Sequence, residues 1–258
     1  MDWLYTASGF TVGIIVGLTG VGGGSLMTPL LVLFFGINPA TAVGTDLLYA
    51  AITKAGGTVV HGRQGHVEWR LTGLLAAGSL PAAAITIVGM SFLPKRSDDL
   101  TQLISIILGV ALLLTSLALF FGRRVQQYAA HHDNTNWRKK HLDKITVLVG
   151  VLLGVLVSIS SVGAGALGVA ALFFLYPKLS SVKIVGSDVA HAVPLTLVAG
   201  LGHWWLGSVN WTLLGALLLG SLPGIYIGSR LSAKIPEHIL RRALAVMLVL
   251  IGSKLLLT

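Results

Sequence analysis

The chain has 258 residues, of which 54% are hydrophobic and only 10% are charged, and its mean hydropathy is +0.85. This composition excludes an ordinary soluble domain, and the long apolar runs predict a polytopic, all-α membrane protein. The absence of cysteine excludes a disulfide framework, a thiolate metal site and a cysteine nucleophile. The formal net charge of +9 is compatible with nucleic-acid binding, but it is concentrated between two apolar halves, which favours a cytoplasmic loop instead.

The first half of the sequence predicts five apolar segments. The first covers 3–19 and ends at the glycine-rich stretch 20–25, where a continuous helix is unfavourable. The next segment, 26–36, is short for a full crossing of a bilayer, so we interpret the pair as a hairpin or a broken helix. The other three segments are 39–61, with an interruption at Gly44 as an option, 71–93 and 100–121.

A polar connector, residues 122–144, separates the first transmembrane repeat, 1–121, from the second, 145–258. The positive-inside rule places this connector in the cytoplasm because it is rich in basic residues. With five segments in each half, both chain termini are then predicted to lie outside. The basic residues of the connector are Arg123, Arg124, Arg138, Lys139, Lys140 and Lys144.

The second half repeats the order of the first. Its segments are 145–160, 166–176, 183–206, 211–229 and 239–257, with a small-residue break at 161–165 after the first of them. Matched His, Trp, Asp and Pro residues show that this is more than shared apolar composition. The matched pairs include Gly22 with Gly163, Gly44 with Gly186, Asp46 with Asp188, His61 with His203, Trp69 with Trp211, and 78–81 with 220–223.

These repeats predict the architecture. Because each half has an odd number of segments, the halves are expected to be antiparallel, with broken or short helices at the glycine-rich motifs. Inverted-topology repeats of this kind are typical of secondary transporters.

The order of motifs in both halves resembles the TauE/SafE sulfite exporter family. The resemblance implies a bacterial inner-membrane secondary transporter that moves sulfite, sulfonates or related sulfur oxyanions. One departure is that Asp46 stands where the family commonly has serine. The motifs that carry the resemblance are 20–25 with Pro29-Leu30, 42–45, 185–188 with His191-Ala192, and 220–224 with Gly228-Ser229.

The two glycine breaks are the predicted site for the anion. Helix amino termini supply free N–H groups and a partial positive charge, which an oxyanion needs in a medium of low dielectric constant. The other interpretation of small residues is close packing of helices. The predicted substrate-binding residues are Gly22, Gly23, Gly24, Ser25, Thr45, Lys54, Gly163, Ala164, Gly165 and Ser187.

Asp46, Asp188 and His191 are predicted to couple transport to a proton or another ion, because an ionisable group at membrane depth usually marks a functional path. His191 follows Asp188 by one helical turn, which is compatible with a proton relay. The alternative is that Thr45-Asp46 and Ser187-Asp188 cap helices that restart after a glycine.

Lys54 has two interpretations. It either attracts the anion directly or neutralises Asp46, or else it extends toward the nearby cytoplasmic face, and this last interpretation is preferred.

Two other functions stay open at this point. The same residues can build an anion channel, and Ser187, Asp188 and His191 are a nominal constellation for an intramembrane enzyme. The adjacent Ser187 and Asp188 would point about 100° apart on a helix, which is unsuitable for a catalytic relay. The sequence predicts no enzyme activity, no cofactor and no metal site. The predicted partners are a small sulfur-containing anion and membrane lipid, with a homodimer left open, and no nucleic acid.

Overall fold

The computed structural model describes residues 2–19, 24–93, 98–131, 136–232 and 237–257. Nearly all of these residues are α-helical, because a helix satisfies its own backbone hydrogen bonds where water is absent. In these parts of the chain the helices are α1 (Asp2–Thr19), α2 (Gly24–Phe35), α3 (Pro39–Arg63), α4 (Trp69–Ser91), α5 (Asp98–His131), α6 (Asn136–Ser160), α7 (Ala166–Leu175), α8 (Ser181–Trp205), α9 (Trp211–Ser232) and α10 (Glu237–Leu257).

Several helices are suited to a membrane by length and composition. Among the described residues, five helical stretches are long and apolar enough to cross one. Large apolar side chains on the outside agree with contact to lipid, for example Leu219 at 74% and Leu250 at 67% exposure. The five stretches are 69–91, 101–121, 141–160, 181–205 and 211–228.

The predicted segments agree with these helices, with two differences. The connector is largely helical, because α5 continues to His131 and α6 begins at Asn136. The predicted interruption at Gly44 is wrong, since α3 is continuous there, and α8 is likewise continuous at Gly186. These glycines instead allow close approach of another backbone: a Cβ atom would lie 2.3 Å from Ser208 O at Gly44 and 2.4 Å from His66 O at Gly186.

The first helix of each half packs on a helix of the other half. α1 makes its main contacts with α9, and α6 makes its main contacts with α4. A Cβ atom on Gly220 would lie 1.9 Å from Thr6 O, and one on Gly78 would lie 2.0 Å from Val147 O. Only small residues permit such close contact between helices, so these glycines determine the packing.

The centre of the protein is formed by α3 and α8, which pack against each other. The short helix α2 packs against α3, while α7 packs mainly against α5 and also touches α8. α5 also pairs with α10. Both central helices bury polar side chains as well as apolar ones. This arrangement brings the conspicuous residues of the two sequence repeats into the middle of the molecule.

Substitution of Gly220 by alanine is expected to destabilise the protein strongly. The added methyl group would collide with the backbone of α1, and overpacking of this kind costs about 1–3 kcal/mol or more. The matched control is Gly215→Ala on the same helix, where a Cβ atom would meet nothing within 4 Å. Thermal unfolding in detergent measures both variants, and equal melting temperatures would contradict the packing role of Gly220.

Candidate functional site

Asp46 on α3 and Asp188 on α8 lie at the centre of the protein. Their exposed fractions are 0% and 1%, so neither carboxylate reaches solvent. A buried ionised group is costly unless it is paired or hydrogen-bonded, so the surroundings of each carboxylate decide what it can do. These surroundings differ.

Asp46 is held by two hydroxyl groups. Its Oδ2 atom accepts hydrogen bonds from Thr28 Oγ1 at 2.5 Å and from Ser161 Oγ at 2.9 Å. Thr28 belongs to α2, and Ser161 is the first residue of the break between α6 and α7. Asp46 therefore ties a short helix of the first half to the break of the second half.

The second glycine break, 161–165, is non-helical as predicted. Ser161, Gly163 and Gly165 have φ angles of 58°, 121° and 140°, in the region that L side chains rarely adopt. The chain re-enters a helix at Ala166, and the first backbone donors of α7 bond back to the break, with Gly168 N donating to Gly163 O. The break thus presents both carbonyl groups and a helix amino terminus to its surroundings.

Lys54 approaches this break from α3. Its side chain is only 8% exposed, and Nζ donates to the Ala164 carbonyl at 2.6 Å. The preferred expectation, that Lys54 extends toward the cytoplasmic face, is wrong, because its ammonium group is buried and bonded to a carbonyl group of the break. The ammonium also interacts electrostatically with both Asp188 and Asp46.

Asp188 has a different environment. Neither of its carboxylate oxygens has a hydrogen-bond partner among the residues that the structure describes. Its Oδ1 atom packs on the backbone of α7, where a Cβ atom on Gly168 would lie 2.0 Å away. Asp188 is therefore buried against Gly168, and the positively charged group that interacts with it electrostatically is Lys54.

His191 does not form the expected hydrogen bond with Asp188. Its Nε2 atom instead bonds Ser79 Oγ on α4 at 2.8 Å, and the imidazole is fully buried. No hydrogen bond joins His191 to Asp188 among the described residues, and the Nδ1 atom of the ring has no partner there.

Thr45 and Ser187 bind helix starts, but not those of their own helices. Thr45 Oγ1 accepts from Asn210 N at 3.1 Å, and Ser187 Oγ accepts from Glu68 N at 2.9 Å. Asn210 and Glu68 directly precede α9 and α4. The prediction that these hydroxyl residues cap restarted helices is wrong, since α3 and α8 do not restart there.

The first glycine break is only partly described. Gly22 and Gly23 lie outside the described residues, as does the side chain of Ser25, while Gly24 begins α2. Of the other predicted residues, Lys54 contacts the second break at Ala164 and Asp46 contacts it at Ser161. Thr45 and Ser187 instead bond the residues before α9 and α4.

Sequence reasoning missed four residues that shape this centre. Thr28 lies in the apolar run of α2 and Ser161 lies in the break, and nothing in the local sequence indicates that either residue contacts Asp46. Ser79 belongs to a repeated Gly-Ser-Leu-Pro motif, which is the signal that marks it. Gly168 has no such signal, because its role depends on where α8 passes.

The apolar helices and the buried polar centre between them define a helical membrane protein. The chain belongs to the sulfite exporter TauE/SafE family, whose family model matches residues 5–255. The resemblance drawn from the motifs is thereby confirmed over nearly the whole chain.

Relatives of similar length support this membership. The chain is 38% identical over 255 residues to the "Probable membrane transporter protein YjnA" of Bacillus subtilis, covering 96% of this chain and 97% of that protein. It is 29% identical to the "Probable membrane transporter protein YdhB" of the same organism, covering 91% and 92%. Identity to the archaeal "Probable membrane transporter protein MJ0441" of Methanocaldococcus jannaschii is 27%, covering 93% and 88%. No solved structure matches the chain.

Proposed function

We propose that this protein is a secondary transporter that moves sulfite, sulfonates or related sulfur oxyanions across the bacterial inner membrane by alternating access. Family membership and the names of the relatives support a membrane transporter. The family description supports sulfur oxyanions as substrates.

The observation that carries this proposal is the buried ammonium of Lys54 beside the second break. A cation at membrane depth, next to a helix amino terminus, is a suitable environment for a small oxyanion. In this proposal the anion lies near Gly163, Ala164 and Gly165, and Lys54 exchanges its bond with the Ala164 carbonyl for one with the anion.

Alternating access requires two units that move relative to each other around the site. The proposed units are the two inverted repeats, with the connector in the cytoplasm and both termini outside. Matched contacts support this arrangement: Gly78 meets Val147 as Gly220 meets Thr6, and Ser187 binds Glu68 as Thr45 binds Asn210. Each set relates residues that the sequence repeat aligns.

An enzymatic function has weaker support. Ser187 Oγ donates to the backbone oxygen of Lys183, and His191 bonds Ser79. The nominal Ser187, Asp188 and His191 constellation is therefore not connected by hydrogen bonds, and we propose no enzyme activity.

Flux measurements in proteoliposomes test the proposal. The purified protein is expected to move at least one of sulfite, sulfoacetate, taurine and thiosulfate faster than protein-free liposomes do. Failure with all four would contradict the substrate class. Unitary electrical currents during anion movement would favour a channel over alternating access, whereas saturable accumulation against a gradient would favour the transporter.

A further inference from the structure

We propose that Asp188, and not Asp46, carries a proton during transport, and that this proton crosses the membrane in the same direction as the anion. The inference rests on the proposed function and adds to it the identity of the coupling ion, the group that binds it and the relative direction of the two movements.

The two buried carboxylates differ in the number of hydrogen bonds that they accept. Asp46 accepts two hydroxyl hydrogen bonds, which stabilise its ionised form. Neither oxygen of Asp188 has a described hydrogen-bond partner, although the carboxylate is 1% exposed. A carboxylic acid in such surroundings gains more from binding a proton than one that already accepts two hydroxyl groups.

The sequence explains this difference. In the repeat, the positions that align with the two hydroxyl donors of Asp46 are Val169, in place of Thr28, and Gly20, in place of Ser161. Neither valine nor glycine has a side-chain donor. The aligned positions therefore supply Asp188 with neither of the hydroxyl groups that stabilise the ionised form of Asp46.

The charges of Lys54, Asp46 and Asp188 indicate whether the proton and the anion move in the same direction or in opposite directions. Lys54 is one ammonium group that interacts with two carboxylates, so the three residues together have one net negative charge when all are ionised. An anion is repelled by that net charge. Binding of one proton to Asp188 neutralises it, so that proton and anion favour each other's binding and are expected to travel together.

The helices around Asp188 offer few other charged groups. α3 contributes Lys54, and His191 follows on α8 itself, bonded to Ser79. α7 contains no titratable side chain, α4 has only Arg70 near its start, and the described titratable side chains of α6, His141, Asp143 and Lys144, also lie near its start. Asp188 is thus the acidic group of α8 that faces the centre.

A proton suits this position better than a metal cation does. A hard cation such as Ca²⁺ requires about six to eight oxygen ligands at once, whereas a proton needs a single carboxylate. Ser187, which precedes Asp188, already accepts from Glu68 N and donates to Lys183 O, and Ser79 on α4 bonds His191. In the step itself, one O–H bond forms on Asp188 when the site faces one side, and the same bond breaks when it faces the other.

Paired asparagine variants test the assignment, because asparagine imitates a protonated carboxyl group that cannot release its proton. In proteoliposomes, Asp188→Asn is expected to retain anion exchange but to lose accumulation driven by a proton gradient and the accompanying acidification of the lumen. The control is Asp46→Asn, which is expected to lower exchange and accumulation in the same proportion. Normal proton-driven accumulation by Asp188→Asn would overturn the proposal.

Chemical modification of the unsubstituted protein tests the same assignment without requiring that a variant folds. Dicyclohexylcarbodiimide reacts with protonated carboxyl groups in apolar surroundings, and mass spectrometry locates the product. Modification is expected at Asp188 and to increase at lower pH, and modification of Asp46 instead, or of both equally, would overturn the assignment. Anion transport without proton movement would also overturn it while leaving the proposed function intact, whereas absence of transport for every anion tested would contradict the proposed function itself.

Discussion

Replacement of Lys54 by methionine is expected to reduce anion flux by about 100-fold or more, equivalent to roughly 3 kcal/mol at 1.4 kcal/mol per tenfold change. Methionine has a similar length but no charge, so two buried carboxylates lose the ammonium that faces them. The Ala164 carbonyl also loses its donor. Radiolabelled anion uptake into proteoliposomes measures the effect.

Two further variants separate a loss of function from a loss of folding. Lys54→Met combined with Asp188→Asn leaves fewer uncompensated charges, so it is expected to fold more stably than Lys54→Met alone while remaining inactive. Lys183→Met removes the same charge from the half-exposed pair with Glu68 and is expected to cost only about 0–1 kcal/mol. Normal flux in Lys54→Met would show that the anion does not depend on this ammonium.

Asp46→Ala is expected to destabilise the protein by about 3–5 kcal/mol, because it removes the acceptor of two buried hydrogen bonds to a charged group. The loss affects three elements at once, since the carboxylate joins α2, α3 and the break at Ser161. Chemical unfolding in detergent measures the change in the free energy of unfolding.

Asp46→Asn is the informative companion of that variant. The amide oxygen can still accept from Thr28 and Ser161, so most of the stability is expected to remain, at a cost of about 1–3 kcal/mol. Flux is nevertheless expected to fall about tenfold or more, because a neutral amide oxygen accepts weaker hydrogen bonds than a carboxylate and therefore holds the break at Ser161 less firmly. If Asp46→Asn matched the parent in both stability and flux, the site would have to lie elsewhere.

The helices could be predicted from the sequence, because a long apolar run in a bilayer must satisfy its own backbone hydrogen bonds, and an α-helix does so. The ends of the helices could also be predicted where small residues interrupt an apolar run, as at the break 161–165 between α6 and α7. The expectation that a helix is interrupted at Gly44 or restarts after Gly186 is wrong. A glycine that ends a helix and a glycine that allows close approach of another backbone cannot be distinguished from the sequence alone. Only the position of Ser208 and His66 distinguishes the two cases.

The sequence predicted which carboxylates lie in the site, but it did not predict their hydrogen-bond partners. Matched carboxylates in an apolar sequence identified Asp46 and Asp188, yet the donors to Asp46 come from α2 and from the other half of the chain. Lys54 was misjudged for the same reason, since its acceptor, the Ala164 carbonyl, is far away in sequence. Contacts between distant parts of a chain depend on the packing of helices, which a local pattern does not contain.

The packing of α1 on α9 also has a consequence for biosynthesis. α1 is synthesised well before its main partner, α9, because seven helices lie between them in the described chain. The glycines of α9 that receive α1 are therefore absent while the intervening helices enter the bilayer. During translation α1 therefore stays in lipid or beside the insertion machinery without its main partner, and the packing of α1 on α9 is delayed until α9 has been made.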